Sequence, residues 1–347
     1  MKIAIDAQLA IGTATGIGEY VLGLSSALRL NGIDVVELSD AALDPWRFDR
    51  RVYWDQILLP QRARASGADL LHCASGTMPL SKSIPTIVTV HDVAWLRVQS
   101  HTRPYARYYF GRFASNRYRT AAKIVVGSEF SQRELVDVLA LSDEEARRVS
   151  VVYPGVSSEF INLSRSRAND HTILVVGTIE RRKNLALIIR ALAHIPDARV
   201  IALGPFTPYV DECMSLAYEL GVLDRVDIRG YAPRGDVLAL YASCDVLCVP
   251  SVYEGFGYAA AQALCSGTPL IASNGGSLAE IVSGDAPILS PTDDEAWVDA
   301  ISDALGNAQF WEERAARVRP TAVERFRWDA SAREMAKVYS SVALACH

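Results

Sequence analysis

Three consecutive cations, Arg181, Arg182 and Lys183, stand in "VVGTIERRKNL", and a single carboxylate, Glu254, stands in "VPSVYEGFGYAAAQALCSG". The basic run follows an apolar strand and precedes a helical pattern whose start includes Asn184, so its charges and a helix N-terminus together make an anion site. Glu254 falls between a strand ending at Ser251 and a helix beginning near Tyr258. The intervening Gly255 and Gly257 let backbone amides approach a ligand, while the carboxylate accepts hydrogen bonds from sugar-like hydroxyls.

A further glycine cluster opens the chain, where "IGTATGIGEYVLGLSSAL" spaces Gly12, Gly16 and Gly18 like the turn of a nicotinamide-dependent dehydrogenase. That chemistry needs the first glycine almost directly after the strand, yet Gly12 comes six residues after Asp6. It also needs a tyrosine with a lysine four places on, and the nearest approach, Tyr118 and Lys123, is one residue too far apart. The glycines therefore either ease a loop into a helix or bring helix-start amides to an anion.

The elements that must position these groups follow from hydrophobic patterning. "MKIAID", "IDVVELS", "ADLLHCA", "IPTIVTVHD", "AAKIVVGS" and "RVSVVYPG" are short apolar runs of the kind buried on both faces by helices. The polar stretch "INLSRSRANDHT" then precedes a stricter alternation of strands such as "TILVVG", "ARVIALGP" and "DVLCVPS" with helices such as "NLALIIRALAHI" and "GYAAAQALCSG". The expectation is an α/β chain of two doubly wound parallel-sheet domains, residues 1–163 and 170–325, followed by a helical segment 326–347. Ligands of such folds sit at the carboxyl ends of the strands, which is where both clusters fall.

Composition agrees with a folded enzyme: half of the 347 residues are hydrophobic and 22% are charged. A net charge of -5 argues against a general nucleic-acid binder. Six cysteines without a C-x-x-C pair read as buried thiols of a cytoplasmic protein, and no apolar run is long enough to span a bilayer. Between Asp92 and Glu129 there is no acidic residue, while Arg103, Arg107, Arg112 and Arg117 alternate there with tyrosines and phenylalanines. Such a stretch suits an anionic membrane surface or a polyprenyl-diphosphate acceptor, and equally a helix that packs its rings inward.

Taken in order, "TGIGEYVLGLSSAL", "TVHDVAWL", "VVGSEFSQRELV", "VVYPGV", "VGTIERRKNL", "PSVYEGFGYAAAQALCSGTPLIAS" and "GGSLAEIV" resemble the large retaining glycosyltransferase family numbered four, over nearly the whole chain. The resemblance implies the GT-B fold, two facing Rossmann-like domains, the first for the acceptor, the second for a nucleotide sugar, with the last helix returning to the first domain. It implies that Gly16 and Gly18 form a flexible loop over the donor diphosphate and that His91 contacts the donor sugar. Arg182 and Lys183 match the pair that neutralises the diphosphate beside Gly177. Glu254 matches the first acid of a Glu-x7-Glu motif that binds the transferred sugar, with Gly255, Phe256, Gly257 and Tyr258 cradling sugar and phosphate and Tyr231 near the base. The chain departs from the pattern at Gln262, which replaces the second acid and keeps one acceptor oxygen for ribose hydroxyls.

The same resemblance implies transfer with retention of configuration and no metal, since the chain lacks an Asp-x-Asp motif and carries lysine and arginine instead. The donor reading is GDP-mannose and the acceptor a polyprenyl-diphosphate-linked or saccharide acceptor in surface polysaccharide assembly, with the enzyme cytoplasmic and peripheral at the inner face of the cytoplasmic membrane. A UDP- or dTDP-sugar donor and a catalytically weak partner subunit are the alternatives.

Overall fold

The computed structural model describes residues 1–12, 16–81, 83–97, 105 and 108–345. The chain forms two compact units, residues 1–157 with 327–347, and residues 158–326. The first holds a six-stranded sheet of β1 (Lys2–Asp6), β2 (Asp34–Leu38), β3 (Leu70–Cys73), β4 (Thr86–Val90), β5 (Lys123–Val126) and β6 (Val149–Val151). Their order is β2-β1-β3-β4-β5-β6, and every pairing is parallel, with Ile3 opposite both Val35 and Leu70.

The alternation of side chains along β1 sorts the core into two layers. Ile3 and Ile5 join Tyr20, Leu24 and Leu28 of helix Gly16–Leu30 and Met335 and Tyr339 of helix Trp328–Ala345. Ala4 faces the opposite layer, with Trp54, Leu59, Leu71, Val88 and Tyr118. The terminal helix fits closely because Gly23 has no side chain: a Cβ there would lie 2.1 Å from Trp328 Cε2.

The second unit repeats the design with β7 (Thr172–Val176), β8 (Arg199–Leu203), β9 (Val226–Arg229), β10 (Val246–Val249), β11 (Leu270–Ser273) and β12 (Ile288–Leu289), ordered β12-β11-β10-β7-β8-β9 and all parallel. Its core gathers Ile173, Val175, Ile188 and Ile189 with Trp297 and Ile301 of helix Asp294–Gly306.

Two features differ from the sequence expectation. The boundary lies after Ser157 and not after residue 163, because the polar stretch is bound into the second unit: Arg165 donates to the carbonyls of Tyr241 (2.5 Å), Ala242 (2.9 Å) and Cys244 (2.7 Å). Helix Ala308–Phe326 also runs through Pro320, a residue whose missing N–H and fixed φ predict a helix end. Burial of Ala322 and Phe326 beyond it outweighs the lost hydrogen bond.

Candidate functional site

In the second sheet the strand order reverses between β7 and β10, and the loops leaving those two strands carry the expected charges. Past β7, Arg181–Lys183 form a single 3-10 turn that ends in Asn184, left-handed at φ +57°. The Asn184 amide secures the turn by donating to the carbonyls of Pro250 (3.2 Å) and Pro291 (2.9 Å), and the Val252 amide donates to the Arg182 carbonyl at 2.8 Å. The two loops are thereby one rigid piece.

On it, Lys183 Nζ lies 2.5 Å from Glu254 Oε1 and Arg182 Nη1 lies 3.5 Å from Oε2, while Ser251 Oγ donates to Oε1 at 2.8 Å. Glu254 is only 6% exposed. Burial alone would raise its carboxyl, yet the charges of Lys183 and Arg182 and the hydrogen bonds of Lys183 and Ser251 hold it below the usual range. Arg181 does not join them: it turns outward to Glu212 at 2.6 Å and lies over the Tyr209 ring. The basic site thus has two converging cations, not three.

The backbone of Glu254 is fixed from the other side by "NGGS", whose part in the site the sequence reading did not assign. Gly276, at φ +69°, lies so close that a Cβ would meet Glu254 O at 2.3 Å, and the Ser277 amide donates to the same carbonyl at 3.0 Å. Paired glycines directly after a strand were the available signal. Gly177 lies against the Lys183 stem, where a Cβ would be 3.3 Å from Cε. Gly257 is the left-handed residue before helix Tyr258–Ser266, whose N-terminus no side chain caps. Phe256 packs its ring edge-on against Tyr258 (5.2 Å) and Phe326 (5.8 Å), with Gly255 beside it in the same loop.

Gln262 is buried on that helix, and its oxygen accepts from Tyr241 Oη at 3.1 Å, so one lone pair assigned to ribose is engaged by the protein. Tyr231 is 53% exposed just past β9.

The other expected residues lie in the first unit. Gly16 and Gly18 are not a loop but the first turn of helix Gly16–Leu30, and residues 13–15 before them lie outside the described residues. His91 follows β4 and donates Nε2–H to the Ala74 carbonyl at 2.8 Å, with the Tyr20 ring edge-on at 5.0 Å. Burial lowers its pKa against the pull of that carbonyl and of Asp92, so the ring is neutral with Nδ1 carrying the lone pair.

Behind His91, His72 is clamped between Thr89 Oγ1 (2.7 Å) and Tyr339 Oη (2.8 Å). Burial, with the nearby His91, pushes His72 down to about 3. Its folded pKa is depressed below the unfolded value, so the unfolded chain binds the extra proton between about pH 6.5 and 3, and stability falls on acidification. We expect urea unfolding to show the parent losing about 1.4 kcal/mol per pH unit below 6.5 relative to His72→Gln. Equal slopes would refute this.

Of the basic aromatic stretch, Arg103 and Arg107 lie outside the described residues. Arg112 is exposed, but Arg117 donates to the carbonyls of Pro79 (3.2 Å) and Leu80 (3.0 Å), and Tyr109 and Tyr118 are buried. This stretch thus turns Tyr109, Arg117 and Tyr118 inward among its described residues. It helps wall a cavity of about 990 Å³ within the first unit, opening past β1, β3 and β4 and lined by Trp46, Phe48, Tyr105, Phe110, His91 and Asp92 among others.

Under the cavity lies a buried cluster that sequence patterning did not reveal. Arg51 Nη2 reaches Asp6 at 3.3 Å and Asp55 at 2.9 Å, and Trp54 Nε1 donates to Asp6 at 2.9 Å. Burial, opposed by the charge of Arg51, raises Asp55 to about 6. Its only sequence signal was the i, i+4 pair Arg51 and Asp55, which reads as a surface pair.

Two family models match the chain almost end to end: "Glycosyltransferase Family 4" over residues 14–160 and "Glycosyl transferases group 1" over residues 157–324. A D-inositol 3-phosphate glycosyltransferase of Corynebacterium glutamicum is 31% identical over 60% of this chain and 56% of its own length. The chain therefore spans little more than half of that relative. An MMP alpha-(1->4)-mannosyltransferase of Mycolicibacterium hassiacum is 27% identical over 80% of this chain and 71% of its own. Among solved structures, Anabaena Alr3699/HepE in complex with UDP and glucose superposes with a TM-score of 0.75 at 19% identity, covering 98% of this chain and 100% of the other. With two parallel six-stranded sheets the chain has the GT-B fold, and each of its halves matches a glycosyltransferase family model.

Proposed function

We propose that this chain transfers a hexose from a nucleotide sugar to a hydroxyl of a saccharide or lipid-linked acceptor, with retention of anomeric configuration. The observation that carries the reading is the convergence of Lys183 and Arg182 on Glu254 at the switch point of the second sheet. Cleaving the donor leaves negative charge on phosphate and positive character on the anomeric carbon. Two cations and the start of helix Tyr258–Ser266 suit the first, and a carboxylate below its ordinary pKa suits sugar hydroxyls.

Retention follows if the acceptor attacks on the face the leaving group vacates, the departing phosphate oxygen taking its proton. No second carboxylate nucleophile is then needed. With the diphosphate neutralised by lysine and arginine, transfer proceeds without a metal ion and is unchanged by excess chelator. Mannose from GDP-mannose is the donor reading, supported by the mannosyltransferase relative; the UDP complex of the solved neighbour supports a UDP-sugar as the alternative. Surface polysaccharide assembly at the inner face of the cytoplasmic membrane is the setting in which we place the reaction.

The deciding experiment is calorimetric titration with UDP-, GDP- and dTDP-sugars, followed by NMR assignment of the product anomer. Micromolar binding of one donor and an α-linked product from an α-linked donor are expected. Silence across the panel would sink the reading.

A further inference from the structure

Two polar side chains interrupt an apolar layer of the first unit. Alternation along β3 and β4 and the residues just after them puts Leu70, His72 and Ala74 on one face of the sheet beside Ile87, Thr89 and His91. Helices Gly16–Leu30 and Trp328–Ala345 cover that face. His72 and Thr89 are buried there, at positions where an apolar side chain would avoid the cost of desolvation. An unbroken series of hydrogen bonds offsets that cost: Tyr339 Oη with His72 Nδ1 at 2.8 Å, His72 Nε2 with Thr89 Oγ1 at 2.7 Å, and Thr89 Oγ1 with Tyr20 Oη at 3.1 Å. It runs from the last helix through two strands to the first helix.

The series ends on a ring that lies against His91. The buried Tyr20 ring meets His91 edge-on at 5.0 Å and Trp328 at 5.9 Å. Trp328 is itself closely held, since a Cβ at Gly23 or at Gly155 would lie 2.1 or 2.3 Å from its indole. Tyr20 is thus fixed at its hydroxyl by Thr89 and along its ring by Trp328. Thr89 and His91 are two residues apart on one run of chain, so the hydroxyl that holds Tyr20 and the imidazole that touches it share a backbone. The second contact of His91 comes from the same cluster, because the Ala74 carbonyl that accepts its Nε2–H lies two residues after His72. Tyr20 also lies one turn along the helix that Gly16 and Gly18 begin.

We infer that Tyr20 is a positioning residue for His91: held at its hydroxyl by the series Tyr339–His72–Thr89, its ring keeps the imidazole in one rotamer, with Nε2–H on Ala74 and Nδ1 as the accepting atom. Through the same side chain His91 is set relative to the glycine start of the first helix. If the chain is the transferase argued above, His91 and that helix start serve the donor, so the consequence for the rate rests on that reading. Misplacing a substrate-contacting group by about 1 Å costs up to about a hundredfold in rate, which gives a buried polar series its use in a layer that packs without it.

The test uses the full chain with isotope-labelled histidine, reading imidazole tautomers by heteronuclear NMR, beside a transfer assay with whichever of UDP-glucose and GDP-mannose binds. In the parent, His91 is expected as a single neutral Nε2–H tautomer. Tyr20→Leu should turn it into a mixture of tautomers and lower kcat about tenfold or more, with UDP and GDP affinity within about twofold of the parent. Tyr20→Phe keeps the ring and frees it from Thr89, so it should keep the tautomer and lower kcat about threefold. Thr89 retains His72 as a partner in that variant, which therefore stays informative should Tyr20→Leu fail to fold. Val342→Ala, in the same core, is the control for lost packing and should leave both readouts at the parent values. Unchanged His91 signals in Tyr20→Leu, full kcat in Tyr20→Phe, or the same losses in Val342→Ala would overturn the inference. A tautomer mixture in Tyr20→Leu, in a chain that binds no nucleotide, would uphold the hold of Tyr20 on His91 and sink the transferase reading, so the two failures are distinct.

Discussion

Replacing Lys183 by alanine is expected to lower sugar transfer by about a hundredfold or more, equivalent to roughly 3 kcal/mol of transition-state stabilisation lost at the leaving phosphate. The ammonium is placed for this by the short turn pinned through Asn184 and by the stem resting on Gly177. The substitution also has a structural cost, because among the described residues Glu254 then keeps Arg182 at 3.5 Å and the Ser251 hydroxyl at 2.8 Å as its side-chain partners. Leaving a buried charge short of its partner costs up to about 3–5 kcal/mol, less where water reaches the pair. The double variant Lys183→Ala/Glu254→Gln separates the two effects. Its melting temperature should recover toward the parent, since no buried charge is left unbalanced, while transfer stays lost. Normal turnover in Lys183→Ala alone would remove Lys183 from the mechanism.

How much of this was legible in the sequence depends on how far apart the partners lie. Strand and helix alternation is a local signal, so the two parallel sheets follow from the apolar runs, and the ends of β7 and β10 carry the charges that patterning put there. Arg181 and Arg182 are chemically identical neighbours, and only packing against Tyr209 and Glu212 turns the first away. The clamp on His72 joins residues from β3, β4 and the last helix, and the Asp6–Arg51 contact joins a strand to a distant helix; neither leaves a periodicity to find. In the acid-free run from Arg97 to Lys123, acids from other parts of the chain pair with two of the arginines, Arg97 with Glu134 at 3.0 Å and Arg119 with Glu145 at 2.6 Å, and local composition shows neither partner.

Substituting Glu254 by glutamine is expected to move two affinities in opposite directions. In this structure Lys183 is held by Glu254 at 2.5 Å, so a nucleoside diphosphate has to compete with a carboxylate for that ammonium. Glutamine removes the competing charge at nearly constant shape and leaves an amide oxygen for Ser251. Charge-assisted hydrogen bonds contribute roughly 1.5–3 kcal/mol, so even partial release of Lys183 should tighten UDP or GDP binding about tenfold. Transfer should fall about a hundredfold in the same variant, because a neutral amide holds the sugar hydroxyls less strongly as charge develops at the anomeric carbon. A residue that merely supported the loop would weaken diphosphate binding and transfer together. Calorimetry with the free diphosphate beside a transfer assay therefore separates the roles: opposite changes make Glu254 both the resting counter-ion of Lys183 and the group that takes the sugar, and parallel losses would reduce it to a structural anchor.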